Sequence, residues 1–155
     1  MSLNTVDRYA LAIELLSLGA RINIISEETG LSAKILRKAY FDMHGKSSSS
    51  GSLKFNPNFI YKSFSKAKEA TLFVFFFRIE NHDEFSRRCI NSYRRYETYI
   101  LTVSKSKPIF DISDSWMLAK WSMCGILKLV RCGQCRSAKL INSEQQQNVC
   151  CICKC

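Results

Sequence analysis

Histidine is nearly missing from this sequence of 155 residues: His44 and His82 are the only two. A local zinc finger with two cysteine and two histidine ligands is thereby excluded, and His82, with no cysteine or histidine beside it, reads as a residue at a helix start. Acidic side chains are scarce too. With 13 Asp and Glu against 23 Lys and Arg, the formal net charge is +10, which favours a polyanionic partner. Long apolar runs are absent: the longest, Leu72 to Phe77, has six residues, far below the roughly 20 that span a bilayer. Nucleic acid, and no membrane, is therefore the expected polyanion. Met1 to Asp7 lacks the basic start of a secretion signal, and Leu11 to Leu18 is interrupted by Glu14. The expectation is a cytoplasmic protein whose thiols stay reduced.

What the sequence does hold is an apolar fraction of 46% with 12% aromatics, enough for one sizeable core with a small satellite module. Six of the eight cysteines crowd into one stretch, Cys132-Gly-Gln-Cys135 and then Cys150-Cys151-Ile-Cys153-Lys-Cys155. A CxxC turn points two sulfurs at one spot, and two such turns supply the four ligands of a tetrahedral zinc ion. Cys132, Cys135, Cys150 and Cys153 are the quartet that makes two CxxC turns, with one Zn2+ per chain. Cys151 and Cys155 are left over, and either is able to substitute. The spacing also admits an iron–sulfur cluster, although the repeated CxxC favours zinc. No general base accompanies the cysteines, so a closed structural site is expected and no enzyme.

Upstream, the pattern predicts a mainly α protein. Residues Thr5 to Leu18 suit an amphipathic helix capped by Thr5 or Asp7 and ended by Gly19. A second helix from Arg21 to Glu28 buries Ile22 and Ile25, Thr29-Gly30-Leu31-Ser32 makes a sharp turn and N-cap, and a third helix runs from Ala33 to Phe41. This is helix-turn-helix phrasing, with Lys34, Arg37 and Lys38 outward and Ile35, Leu36 and Ala39 toward the core; Ser26 stands where such motifs often place alanine. An ordinary helical hairpin with a solvated basic face is the competing interpretation.

Lys46 to Ser52 is flexible linker composition and Asn56-Pro57-Asn58 a turn. A helix is expected over Ser65 to Glu80, apolar all round at its end and so central to the core or set against a partner. The next runs from Asp83 to Val103, with Phe85, Cys89, Tyr93, Tyr96 and Leu101 inward and Arg87, Arg88, Arg94 and Arg95 outward. After a loop containing Pro108, Asp111 to Asp114 caps a long helix reaching Val130, which carries a buried Cys124 and runs directly into Cys132, joining the metal module rigidly to the core. The organisation is 1–44, N-terminal helices with the helix-turn-helix; 45–58, a Ser-rich linker; 59–130, a helical core; and 131–155, a zinc-ribbon-like module of four cysteine ligands.

These motifs together resemble the FlhC subunit family of the bacterial flagellar master transcriptional activator. The likeness lies in Leu11-Ala-Ile-Glu-Leu-Leu-Ser-Leu-Gly-Ala-Arg21, in Glu28-Thr-Gly-Leu-Ser32, in Leu36 and Tyr40, and in Gly45 to Phe55, continuing into the terminal cysteine pairs. Ser47 to Ser50 stands where relatives tend to have prolines, and Cys151 and Cys155 are extra. The resemblance implies a mostly helical protein with zinc on Cys132, Cys135, Cys150 and Cys153. It also implies assembly with FlhD into a hetero-oligomer that binds double-stranded promoter DNA upstream of flagellar genes and recruits RNA polymerase. Lys34, Arg37 and Lys38 are then the expected helix-turn-helix contacts, and Arg87, Arg88, Arg94, Arg95, Arg131, Arg136 and Lys139 the phosphate-backbone candidates. The alternatives are a zinc-stabilised protein-interaction module docking through Phe73 to Phe77, or a diverged regulator with non-flagellar targets.

Overall fold

A computed structural model describes residues 3–54, 56–144 and 149–155. Phe55, where the resembling stretch ends, and residues 145–148, between the two cysteine pairs, lie outside these described residues. The chain divides into two compact units, Met1–Ser52 and Leu53–Cys155.

The first unit is three helices: α1 (Leu3–Ser17), α2 (Ile22–Thr29) and α3 (Ala33–His44). Helix α1 starts two residues before Thr5, so Thr5 and Asp7 lie within it rather than capping it. Leu11, Leu15, Leu16, Ile24, Ile25, Leu36 and Tyr40 form the core. Ile35, expected inward, is 50% exposed, because Leu36 and Tyr40 recur at the helical i, i+4 spacing that faces the other helices and Ile35 lies a third of a turn off it.

The turn between α2 and α3 is built from specific bonds. The Gly30 N–H donates to Ser26 O at 2.8 Å, and the Ser26 hydroxyl donates to Leu31 O at 2.8 Å, so the residue that departs from the usual alanine pins the turn. Gly30 holds φ +67, a left-handed conformation that favours glycine, and a Cβ there would stand 2.6 Å from Arg8 Nη2, so the guanidinium would have to shift. Arg8 Nε in turn donates to Thr29 O, satisfying a carbonyl at the end of α2 and placing a cation where the helix dipole is negative. Ser32 caps α3.

The second unit opens with a 3-10 turn, Pro57–Lys62, followed by α4 (Phe64–Ile79), α5 (Phe85–Tyr99), α6 (Ile112–Met123) and a hairpin of β1 (Leu127–Arg131) and β2 (Ala138–Asn142). Helix α4 is the centre. Ala67, Ala70, Thr71, Phe73, Val74 and Phe77 are buried along it, with Tyr96 edge-on to Phe73 at 6.1 Å and Phe85 edge-on to Phe77 at 5.9 Å. The Tyr96 hydroxyl donates to Glu69, whose Oε2 also accepts the Ile109 N–H at 2.9 Å, closing the loop before α6 onto α4. Burial pushes the Tyr96 phenol up, and the carboxylate of Glu69 adds to the shift.

Three expectations fail here. Helix α5 gives way after Tyr99 to a π-helical turn, Ile100–Ser104; the wider turn rotates the chain so that Ile100 is buried and Leu101 is 50% exposed. Helix α6 starts at its expected cap, where the Asp114 N–H donates to Asp111 Oδ1 at 2.8 Å, but it ends at Met123, not Val130. Gly125 takes φ +75, and the following residues form β1, so the metal module is joined to the core by a strand and not by a continuous helix. Cys124, expected to be buried, is exposed at that helix end, whereas Cys89 is buried.

The hairpin is antiparallel, with Leu127 opposite Asn142 and Arg131 opposite Ala138. Tyr61 and Asn58 of the 3-10 turn hold it: the Tyr61 hydroxyl donates to Leu140 O at 3.2 Å and Asn142 Nδ2 donates to Asn58 Oδ1 at 3.0 Å. No helix among the described residues is long and apolar enough to cross a membrane.

Candidate metal centre and basic surfaces

The two cysteine pairs fold into the same backbone device. In the first, the Cys132 N–H donates to Ser137 O at 2.9 Å and the Arg136 N–H to Cys132 O at 2.9 Å; in the second, the Cys150 N–H donates to Cys155 O at 2.8 Å and the Lys154 N–H to Cys150 O at 3.0 Å. Each chain reversal depends on a left-handed residue directly after the second cysteine, Arg136 at φ +59 and Lys154 at φ +62. Neither is glycine, so a search for glycine would have missed both turns. Lys154→Val, a β-branched residue forced to positive φ, should cost about 1–2 kcal/mol, and Lys154→Gly should be neutral or slightly stabilising; urea unfolding midpoints of the two variants check this.

The result is a convergence of four sulfurs. The Sγ atoms of Cys132, Cys135, Cys150 and Cys153 all lie within 4.8 Å of one another, with Cys132 to Cys153 at 3.6 Å and Cys135 to Cys150 at 3.7 Å. A tetrahedral zinc–thiolate site with bonds of about 2.3 Å has sulfur–sulfur edges of about 3.8 Å, so the donor set fits that ion. Its closure by four protein ligands leaves no open position of the kind catalytic zinc needs. Cys132 and Cys150 are buried, Cys153 half-buried and Cys135 exposed.

Cys151 and Cys155 stand apart from the quartet. Cys151 faces α4, where with Thr71, Leu72, Phe75, Tyr99 and Ile100 it lines a cavity of about 250 Å3, and burial pushes its thiol up. Cys155 is exposed.

Sequence reasoning overlooked Ser137. Its Oγ lies 2.8 Å from Cys135 Sγ and 3.6 Å from Cys150 Sγ, and its position two residues after a CxxC was the available signal. Hydrogen bonds to the sulfurs prepare them for a cation. The backbone N–H groups of Cys153 and Ile152, then the Ser137 hydroxyl, bring the Cys150 thiol down to about 6, and the Ser137 hydroxyl and backbone lower Cys135. Although the Cys155 backbone draws Cys153 down, burial and the sulfurs of Cys135, Cys132 and Cys150 push it up to about 12. Sulfurs this close cannot all carry charge without a cation between them.

The basic residues fall in several places. On α3, Lys34, Arg37 and Lys38 are exposed at i, i+3 and i+4, opposite the buried Leu36 and Tyr40. On α5, Arg94 and Arg95 are exposed and Arg87 and Arg88 half-buried, and Arg88 is turned onto α4. Arg88 lies 4.4 Å over the Phe77 ring and its Nε donates to Phe77 O at 2.8 Å; Arg95 pairs with Glu80 at 3.3 Å. Arg131 and Arg136 flank the first cysteine pair and are exposed, and Lys139 is half-buried on β2.

The family model described as "Flagellar transcriptional activator (FlhC)" matches residues 2–155. The chain is similar to the flagellar transcriptional regulator FlhC of Gallionella capsiferriformans, 27% identical over 97% of this chain and 85% of the relative. It is likewise similar to FlhC of Enterobacter cloacae, 26% identical over 97% and 81%, and to that of Paraburkholderia atlantica, 28% identical over 93% and 68%. The chain thus belongs to the FlhC family of flagellar transcriptional activators, which are regulators and not enzymes.

Proposed function

We propose that this protein is the DNA-contacting subunit of a flagellar-type activator, working with an FlhD partner in a hetero-oligomer on double-stranded promoter DNA and recruiting RNA polymerase in the cytoplasm. One observation carries the reading: α3, held by the Gly30 turn and by buried Leu36 and Tyr40, presents Lys34, Arg37 and Lys38 on a single exposed side. A helix-turn-helix needs this combination, because a helix can report on base edges only if its neighbour fixes its position while its outer side meets the groove. Arg87, Arg94, Arg131, Arg136 and Lys139 are proposed as phosphate contacts outside α3. Arg88 serves more to hold α5 on α4, and Arg95, exposed beside Glu80, stays among the proposed phosphate contacts. The metal is one zinc per chain on Cys132, Cys135, Cys150 and Cys153, acting as a scaffold.

Binding of the complex to promoter DNA should weaken steeply with salt. Arg37→Ala and Lys38→Ala should each cost about 1–3 kcal/mol if they meet bases, or flatten the salt slope by about one if they meet phosphates. Gel-shift titrations at several salt concentrations read both. Unchanged affinity and slope in the two variants would remove α3 from the interface.

A second reading draws on the exposed apolar rim of the second unit, where Phe75 is 43% and Val103 61% exposed beside the cavity containing Cys151. There the chain is a zinc-stabilised protein-docking module and its charge only aids solubility. Charge reversal at Lys34, Arg37 and Lys38 separates the two, because the second reading expects it to leave promoter activation intact. Activation measured at a non-flagellar promoter tests whether the targets have diverged.

A further inference from the structure

The segment Ser47–Ser50 lines one side of an open cavity of about 440 Å3 in the first unit. Arg21 and Asn23 from the start of α2, Arg37 from α3 and the four serines line it, and among the described residues no carboxylate does. The segment is held in place by Arg21 itself, whose Nη1 donates to Gly51 O at 2.7 Å. Gly51 makes that approach possible: it sits at φ +141, and a Cβ would come within 3.2 Å of the same Nη1.

Two guanidinium-bearing side chains sharing a cavity, with hydroxyl groups around it and no acid in its lining, favour an anion with several acceptor oxygens. The planar donor fork of arginine matches phosphate geometry, and serine hydroxyls add neutral donors. Arg37 belongs both to this cavity and to the exposed side of α3, which ties the cavity to whatever α3 meets. We propose that it receives a phosphodiester group of the DNA backbone, with Arg21, Arg37 and the Ser47–Ser50 hydroxyls donating to its oxygens. This rests on the reading that α3 faces DNA, and it extends the footprint beyond that helix to a part of the chain that composition alone marks as a connector. Such a contact positions the protein along the duplex and carries no sequence preference.

The test uses the full chain, metal-loaded and assembled with its partner, in fluorescence-anisotropy titrations on a promoter duplex across a salt series. Arg21→Gln should lower affinity about tenfold at about 0.1 M salt and reduce the salt slope by about one, equally on promoter and unrelated duplexes. The double change Ser48→Ala with Ser49→Ala, which leaves Arg21 and Gly51 in place, should lower affinity about two- to fivefold with the slope unchanged. In a series of duplexes with single methylphosphonate substitutions, one position should weaken binding of the unaltered protein and not of Arg21→Gln. If both variants bind as the unaltered protein does while Lys38→Ala is impaired, the cavity assignment is wrong and the role of α3 stands. If inorganic phosphate shifts the backbone amide resonances of Ser47–Gly51 but the methylphosphonate series shows no such position, the cavity takes free phosphate and the assignment to DNA is overturned. Loss of every α3 effect would instead remove the underlying reading first.

Discussion

Cys150→Ser is expected to abolish zinc binding at the four-cysteine cluster and to unfold the C-terminal hairpin. Cys150 is fully buried, and its sulfur accepts the Ile152 N–H at 3.4 Å and lies 3.7 Å from that of Cys135, so it belongs to both the local turn and the four-sulfur cluster. Structural zinc in small modules supplies apparent free energies of about 10–16 kcal/mol near pH 7, nearly all of it coupled to folding. The two strands of the hairpin bury little else: in β1 only Leu127 is buried, and in β2 only Leu140 and Asn142. An isolated two-stranded hairpin is marginal in water, so the loss of one thiolate should be felt well beyond the site. Metal analysis of protein purified without added zinc should find about one zinc per unaltered chain and close to none for Cys150→Ser. Cys151→Ser and Cys155→Ser should keep the full amount. Retention of metal by Cys150→Ser with loss in Cys151→Ser would mean that the fourth ligand has been misassigned.

The same site should release its metal in acid. Protons compete for the thiolates, so metal occupancy falls as pH drops, and a chelator should strip the protein faster at pH 5 than at pH 8.

The second large effect is predicted in the core of the second unit. Phe77→Ala should destabilise the protein by about 3–5 kcal/mol. Phe77 is 1% exposed and sits between Phe73, stacked at 6.3 Å, and Phe85, edge-on at 5.9 Å, with the Arg88 guanidinium over its ring. Removing the ring leaves a cavity and also strips the apolar platform on which a half-buried cation rests. A loss of this size is a large share of the roughly 5–15 kcal/mol that holds typical domains together. It should appear as a lower urea midpoint with an unchanged slope. Phe75→Ala, two residues away on the exposed side of the same helix, is the control and should change stability by less than about 1 kcal/mol. Equal costs for the two would mean that Phe75 is covered in solution.

The contrast between Phe77 and Phe75 shows where sequence reading stopped. The run Leu72 to Phe77 marked α4 as central, because a helix apolar on every side must be covered. It could not say which phenylalanine faced α5 and which faced outward, since all neighbours in the run are equally apolar. Arg88 shows the same limit: its place in an Arg-Arg pair suggested a phosphate contact, yet it is drawn onto the Phe77 carbonyl and ring by groups eleven residues away in the chain. The end of α6 was misjudged because Trp116 to Val130 keeps a helical apolar spacing throughout, and nothing local weighs Gly125 against it. The requirement that decides the matter is distant: β1 must pair with β2 to bring Cys132 toward Cys150.

By itself the sequence determined the chemistry of the parts. CxxC spacing limits how far apart two sulfurs can lie, a Gly–Leu–Ser turn between short amphipathic stretches separates two helices, and the excess of lysine and arginine sets the sign of the surface charge. These are properties of neighbouring residues and survive any packing. Only the tertiary structure decided the combinations: which four of six clustered sulfurs converge, that Arg88 packs on Phe77 of α4, and that Arg21, Arg37 and a run of serines share one cavity. The physical reason is that burial and convergence depend on contacts between residues far apart in the chain, whose geometry no local pattern encodes.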